Sequence, residues 1–165
     1  MMKMKVVIAG TFDIIHPGHI YLFEEASKCG DVYVIIARDK NVEKIKGRKP
    51  IFNENERKLM VENIKYVKKA YLGDLNDFFK VIKIIDPDII FLGPDQNREW
   101  VEKELQKREM RIGLIQLKFR KNYSSSGTIE VLKRLYKEIN KEKNKEGEGG
   151  DGTPPQNESI PKLGQ

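Results

Sequence analysis

A three-layer α/β/α domain around a five-stranded parallel sheet, a Rossmann-like architecture, is the fold this sequence predicts. Three observations predict it. Short, nearly continuous apolar runs such as Val6–Ala9, Val32–Ala37 and Ile89–Leu92 recur along the chain, the pattern of strands covered on both faces. Segments of helical periodicity alternate with those runs, which calls for parallel strands joined by right-handed crossovers. Glycine, Asp–Pro and Asx punctuation separates the two kinds of segment.

In chain order, Met4 to Ala9 reads as the first strand and Pro17 to Lys28 as the first helix, ended by Gly30. Pro17 suits a first helical turn, where its missing N–H would have no partner. Asp31 to Ala37 is the second strand. Arg38 to Pro50 is polar, interrupted by Gly47 and closed by Pro50, so its later part reads as a loop. Asn53 with Glu56 three residues on is a capping-box start for a helix carrying Leu59, Met60 and Ile64. Val67 to Leu72 forms the third strand. Asp74 or Asn76 caps a helix in which Phe78, Phe79, Ile82 and Ile85 recur, and Asp86–Pro87 stops it. Asp88 to Leu92 is the fourth strand, Gly93 to Gln96 a turn, and a helix with Trp100, Val101 and Leu105 runs to about Arg108. Arg111 to Leu117 is the fifth strand. Ser124-Ser125-Ser126-Gly127-Thr128 then leads into a last helix carrying Ile129, Leu132, Leu135 and Ile139. From Lys141 to Gln165 almost nothing is apolar, and such a stretch buries too little surface to offset its ordering entropy. The expected organisation is one domain, residues 1–140, and a disordered polar tail, residues 141–165.

Composition narrows the function. Lys+Arg 31 against Asp+Glu 25 gives a net charge of +6, which suits a polyanionic ligand but is too mild to demand nucleic acid. The aromatics sit mainly at core spacing and are not interleaved with Arg and Lys, against an RNA-binding module. A single cysteine, Cys29, excludes an internal disulfide and a cysteine metal cluster. No apolar run has membrane-spanning length and no signal-peptide pattern opens the chain, so no membrane partner and a cytoplasmic protein are expected.

The chemistry concentrates in Gly10-Thr11-Phe12-Asp13-Ile14-Ile15-His16-Pro17-Gly18-His19, where both histidines of the chain lie. Strand, glycine turn and helix N-terminus form a phosphate-binding frame, because free N–H groups and the macrodipole point the same way. Histidines three apart share one helix face, so both rings reach one anion, and a bound polyphosphate favours their charged form. Gly10 lets the backbone approach a phosphate without a Cβ, and Thr11 adds a hydroxyl donor. Ser124, Ser125 and Ser126 supply a second helix start for β- and γ-phosphates, or simply an N-cap. The segment Lys44 to Lys49 supplies a mobile cation or is a solvated charge run. Asp13 orients a backbone or ligand group or is a local acceptor. Arg57 is a phosphate ligand or a surface arginine. No nucleophile–base pair stands out, which fits phosphoryl or nucleotidyl transfer by positioning and charge stabilisation.

On the Gly10-to-His19 stretch, with its His-x-Gly-His ending, and on the late Ser124–Thr128 helix start, the chain resembles the cytidylyltransferase-like nucleotidyltransferases over about Lys3 to Ile139. Within that superfamily, Ala37-Arg38-Asp39, Lys46 to Ile51, Glu56-Arg57 and Leu92 to Gln96 are most similar to the archaeal FAD synthases. That resemblance implies an HxGH nucleotidyltransferase fold and transfer of AMP from ATP to FMN, with a divalent cation such as Mg2+ and release of pyrophosphate. It implies that His16 and His19 stabilise the reacting α-phosphate. Thr11, Lys46 or Lys49, Ser125 and Ser126 would bind the triphosphate, and the Gly93-to-Asp95 turn would lie by adenine and ribose. Phe12 and Ser124 belong to the same nucleotide-binding set, and Asp13, Lys49, Arg57 and Gln96 are candidate phosphate or acceptor contacts. Where the related glycerol-phosphate enzymes end their last motif in Thr-Lys, this chain has Gly127-Thr128. A CTP enzyme acting on a phospho-alcohol such as glycerol-3-phosphate, a phosphopantetheine adenylyltransferase and a non-catalytic nucleotide-binding domain are the alternatives. Retention of both His16 and His19 argues against the last. A homodimer is implied by the family alone.

Overall fold

A computed structural model describes residues 3–118, 130 and 132–138. The chain divides after Ser125 into two compact units. In the second, residues 132–138 are helical, with Leu132 and Leu135 exposed. Ser124 to Thr128, Ile129, Ile139, the expected boundary at 140 and the polar tail lie outside the described residues.

The first unit holds the sheet. Its strands are β1 (Lys5–Gly10), β2 (Asp31–Ile36), β3 (Val67–Leu72), β4 (Ile89–Leu92) and β5 (Gly113–Gln116). All pair in parallel, in the spatial order β3-β2-β1-β4-β5. The chain builds outward from β1 to β3, then returns to the other side of β1. That reversal makes the boundary of β1 and β4 the switch point, beyond whose carboxyl ends a crevice opens.

Helices cover both faces, because the central strands β1, β2 and β4 are apolar on both. On one face α1 (Pro17–Ser27) and α3 (Glu54–Glu62) bury Leu22, Phe23, Ala26 and Val61 against Val6, Ile8, Val34 and Phe91. On the other, α4 (Phe78–Ile85) and α5 (Arg98–Lys107) bury Phe79, Ile82, Val101 and Leu105 against Val7, Ile35, Ile90 and Leu92. The predicted three-layer fold with five parallel strands is thus what the chain forms. Among the described residues no helix is long and apolar enough to cross a membrane.

Three local readings differ from the structure. The charged segment expected to run into loop contains a helix, α2 (Asp39–Lys46), closed by Gly47 in the left-handed region at φ 69°. Its apolar content is nearly confined to Val42, which is buried, while Ile45 is exposed, so periodicity had little to show. The cap of α4 is Asp77, whose carboxylate accepts from Phe79 N–H, whereas Asp74 accepts from Asn76 and Asp77 in a preceding turn. Gly30 does not close α1 in a left-handed turn; Lys28 is the C-cap, and among the described residues Gly47 is the glycine with positive φ. Gly30 is required for another reason. A Cβ there would collide with the carbonyl oxygen of Met4, which already accepts from Asp31 N–H at 2.9 Å. Gly30→Ala should therefore lower the unfolding free energy by about 1–3 kcal/mol, the usual range for overpacking, in a denaturant titration. An unchanged midpoint would show that the backbone gives way there.

Candidate active site

Beyond β1, the chain bends through Phe12, a non-glycine residue at φ 51°. Such a conformation costs on the order of 1–2 kcal/mol. Burial of the ring offsets it: Phe12 packs 5.1 Å from Phe23 and edge-on to His19 at 5.2 Å, between ring centroids. The same ring explains Gly10, where a Cβ would stand 2.8 Å from it. Glycine is needed there by Phe12, whatever else its backbone meets.

The next turn sets the two histidines. His16 is the N-cap of α1 in an extended conformation, and Pro17 occupies the first helical position. Nδ1 of His16 accepts from His19 N–H, and Nδ1 of His19 accepts from His16 N–H, both at 3.3 Å. A reciprocal box usually made by a hydroxyl and a carboxylate is made here by two imidazoles, stacked 3.6 Å apart at 19°. An imidazole that accepts at Nδ1 carries its proton on Nε2, on the far side of the ring. Burial above all, then the charges of His16 and Lys46, push the His19 pKa from 6.5 down to about 3. His19 is therefore held neutral at pH 7. The remaining Nε2–H of each ring lies near a helix N-terminus, where the dipole adds positive potential, and the Nε2 of His16 is itself buried.

Lys46, the last residue of α2, joins this group, since its charge bears on His19. Its own pKa is lowered by burial and by Arg48, against an opposing pull from Asp13. Lys49 is not brought to the histidines by any described contact. It lines a groove of about 480 Å³ between α2 and the start of α3, with Asp39, Lys40, Glu43 and Asn53.

Two charged residues prove to be internal braces. Arg57, 0% exposed, is neither a surface arginine nor a phosphate ligand. Its guanidinium donates to the carbonyls of Phe52 (3.0 Å), Thr11 (2.8 Å) and Ala37 (2.8 Å), and to the Asp39 carboxylate at 2.7 Å. It ties the ends of β1 and β2 to the starts of α2 and α3 (α3 itself carries Arg57). Asp13, 2% exposed, accepts from Ile51 N–H (2.8 Å) and Phe52 N–H (2.9 Å), with Arg48 at 3.8 Å. It orients a distant backbone, the first of the two roles the sequence left open, and is no local acceptor. Neither brace was legible beforehand, because most of their partners are backbone groups, up to 46 positions away.

At the switch point, Gln96 joins β1 to β4: its Nε2 donates to Ala9 O and its Oε1 accepts from Gly93 N–H, each at 2.9 Å. Gln116, overlooked in the sequence, donates to the carbonyls of Gly93 (3.1 Å) and Gln96 (2.9 Å). Gln96 thus shapes the turn rather than reaching out as an acceptor contact. Asp95 is exposed at the tip of that turn and Thr11, three residues before Ile14, is half-buried. Ser124, Ser125 and Ser126 are outside the described residues. Among the described residues no three His, Cys, Asp or Glu side chains converge as a metal cage. The nearby carboxylates, Asp13 and Asp39, are committed to backbone and Arg57. This donor set does not fit a resident metal.

A doubly wound sheet whose switch point opens beside a histidine-capped helix is a nucleotide-binding frame, and residues 7–131 match the cytidylyltransferase-like family. The chain belongs to that family. Within it, the chain is 43% identical over 134 residues to the FAD synthase of Ferroglobus placidus, covering 79% of this chain and 87% of that protein. It is 45% identical over 137 residues to the FAD synthase of Methanosarcina mazei, covering 79% and 89%. A solved structure from Thermoplasma volcanium, described as a lipopolysaccharide core biosynthesis protein, is similar at TM-score 0.66 and 32% identity. That likeness covers 74% of this chain and 99% of the other.

Two outcomes follow from this geometry. A His19 pKa below its unfolded value means that the fold binds the proton more weakly. Stability is then full above about pH 6.5 and falls as the pH drops from there towards about 3. The melting temperature should fall more between pH 7 and pH 5 than it does in His19→Asn; parallel declines would contradict the assignment. Arg57→Met leaves three carbonyls and a carboxylate without their donor. Loss of one partner from such a buried network costs about 3–5 kcal/mol, measurable by denaturant unfolding, and a loss near zero would refute the brace.

Proposed function

We propose that this chain joins the AMP group of ATP to the phosphate of FMN, forming FAD and releasing pyrophosphate. The observation that carries the reading is the stacked, mutually capped pair His16–His19, set at the switch point of a chain so similar to FAD synthases.

An FMN phosphate oxygen attacks the α-phosphorus of ATP in line. A new P–O bond forms as the bond to the β-phosphate oxygen breaks, and the electron pair leaves with pyrophosphate. The chain's work is to hold the two phosphates in line and to stabilise the charge that builds on the α-phosphate oxygens. The Nε2–H groups of His16 and His19, the N-terminal dipole of α1 and Lys46 supply that stabilisation. Neutral donors held rigidly need no reorganisation as the charge develops. In this reading Gly10, Phe12 and Thr11 shape the floor under the triphosphate and the Thr11 hydroxyl adds a donor. Gly93 and Asp95 lie by the adenosine, and Ser124, Ser125 and Ser126 take the β- and γ-phosphates. A divalent cation accompanying the nucleotide would offset phosphate charge, and the described side chains form no cage for it. Residues 1–140 act as the catalytic domain, the tail from 141 is dispensable, and the protein works as a cytoplasmic homodimer.

The test is to offer the protein ATP or CTP with FMN, glycerol-3-phosphate or phosphopantetheine and to follow pyrophosphate. Release with ATP and FMN, with FAD as product, is expected, and His19→Ala should lower that turnover about a hundredfold or more, as loss of a transition-state donor does. Release only with CTP and glycerol-3-phosphate would replace the proposal, and near-wild-type turnover in the variant would remove His19 from the chemistry.

A further inference from the structure

Trp100 is the chain's single tryptophan, and 47% of it is exposed. It stands in the first turn of α5, four residues beyond Gln96, which bonds the end of β1. Its indole leans across to α4, 6.3 Å from Phe78 at 55° and 5.9 Å from Phe79 at 42°, between centroids. Phe79 is buried and carries the Arg108 guanidinium 4.5 Å from its ring, with Arg108 held in turn by Asp77 and Glu104. The aromatic group is therefore anchored beneath and open on top.

Its place in the fold matters more than its exposure. The helices α4 and α5 share one core with β1, β2 and β4, and the chain crosses from β3 to β4 through α4. The first turn of α5 follows the carboxyl end of β4, and Gln96, one turn earlier, bonds Ala9 at the end of β1, so Trp100 lies toward the edge where the switch-point crevice opens, with Phe78 beside it. The histidine pair meets that edge from α1, on the opposite face of the sheet. An exposed aromatic shelf and the histidine pair thus belong to opposite faces of one sheet.

We propose that Trp100, backed by Phe78, is the face on which the isoalloxazine ring of FMN stacks. The inference rests on the FAD-forming reading and names the acceptor side of that site. Oxidised isoalloxazine is a flat, electron-poor tricycle, and indole is the most electron-rich aromatic side chain, so an offset stack suits both. Adenine presents a hydrogen-bonding edge better met by the polar turn Gly93–Asn97, whereas the Trp100–Phe78 surface offers mainly ring faces.

The experiment uses the full chain, FMN alone, ATP alone, and the variants Trp100→Leu and Trp100→Phe. FMN bound to the wild-type protein should lose its own emission near the indole, a contact effect that a merely structural tryptophan would not produce. Trp100→Leu should leave bound FMN emitting, raise KM for FMN about tenfold, the scale of one lost aromatic stack, and leave KM for ATP unchanged. Trp100→Phe should recover most of the FMN affinity. FAD formation by Trp100→Leu with an unaltered KM for FMN would overturn the shelf and leave the reaction standing. A KM change confined to ATP would assign the shelf to adenine and overturn it likewise. A wild-type protein that neither binds FMN nor forms FAD would take down both readings together.

Discussion

The site depends on one reciprocal contact, in which each of two histidines caps the backbone of the other. By accepting at Nδ1, each imidazole receives an N–H at the start of α1, that of His19 being shared with the His16 carbonyl at 2.9 Å. The same contact favours one tautomer, with the remaining proton of each ring on Nε2. Structural cap and candidate catalytic donor are thus one arrangement, and Phe12, wedged edge-on beneath His19, holds it at the cost of a left-handed backbone. A charged cap would not do this: an imidazolium has no acceptor to give the backbone.

Around that contact the loops are organised by where their carbonyls go. Arg57 gathers the carbonyl oxygens of Thr11, Ala37 and Phe52 into the interior, and Gln96 and Gln116 do the same for Ala9 and Gly93. Drawing the negative ends of these peptides inward keeps them away from an edge that must receive polyanions. Asp13 performs the complementary service by accepting from Ile51 and Phe52, locking the segment that follows Lys46. The edge is preorganised by buried polar side chains, so few charges need to stand exposed within it.

The sheet and four of its flanking helices were legible because their apolar residues repeat at the periods that define them, as in Val6–Ala9 or Phe79, Ile82 and Ile85. The helix α2 was not, since a helix that buries only Val42 leaves no stripe to read. The histidine pair was legible from its spacing, but its protonation was not: that follows from burial and from Nδ1 bonds, which only folding creates. Arg57 and Asp13 stood out as charged residues of uncertain use, and no local pattern could reveal that their partners were carbonyls and N–H groups of other loops. Gly30 was seen and misread, because a collision with Met4 on a neighbouring segment leaves no mark in the sequence around it.

The central claim is that His19 is neutral at pH 7 and that each ring accepts at Nδ1. With only two histidines in the chain, 15N spectra of the imidazole nitrogens can be read without ambiguity. Near pH 7 the account predicts two unprotonated Nδ1 signals shifted by hydrogen bonding and two protonated Nε2 signals. A protonated Nδ1 on either ring, or His19 already an imidazolium at pH 6, would contradict it.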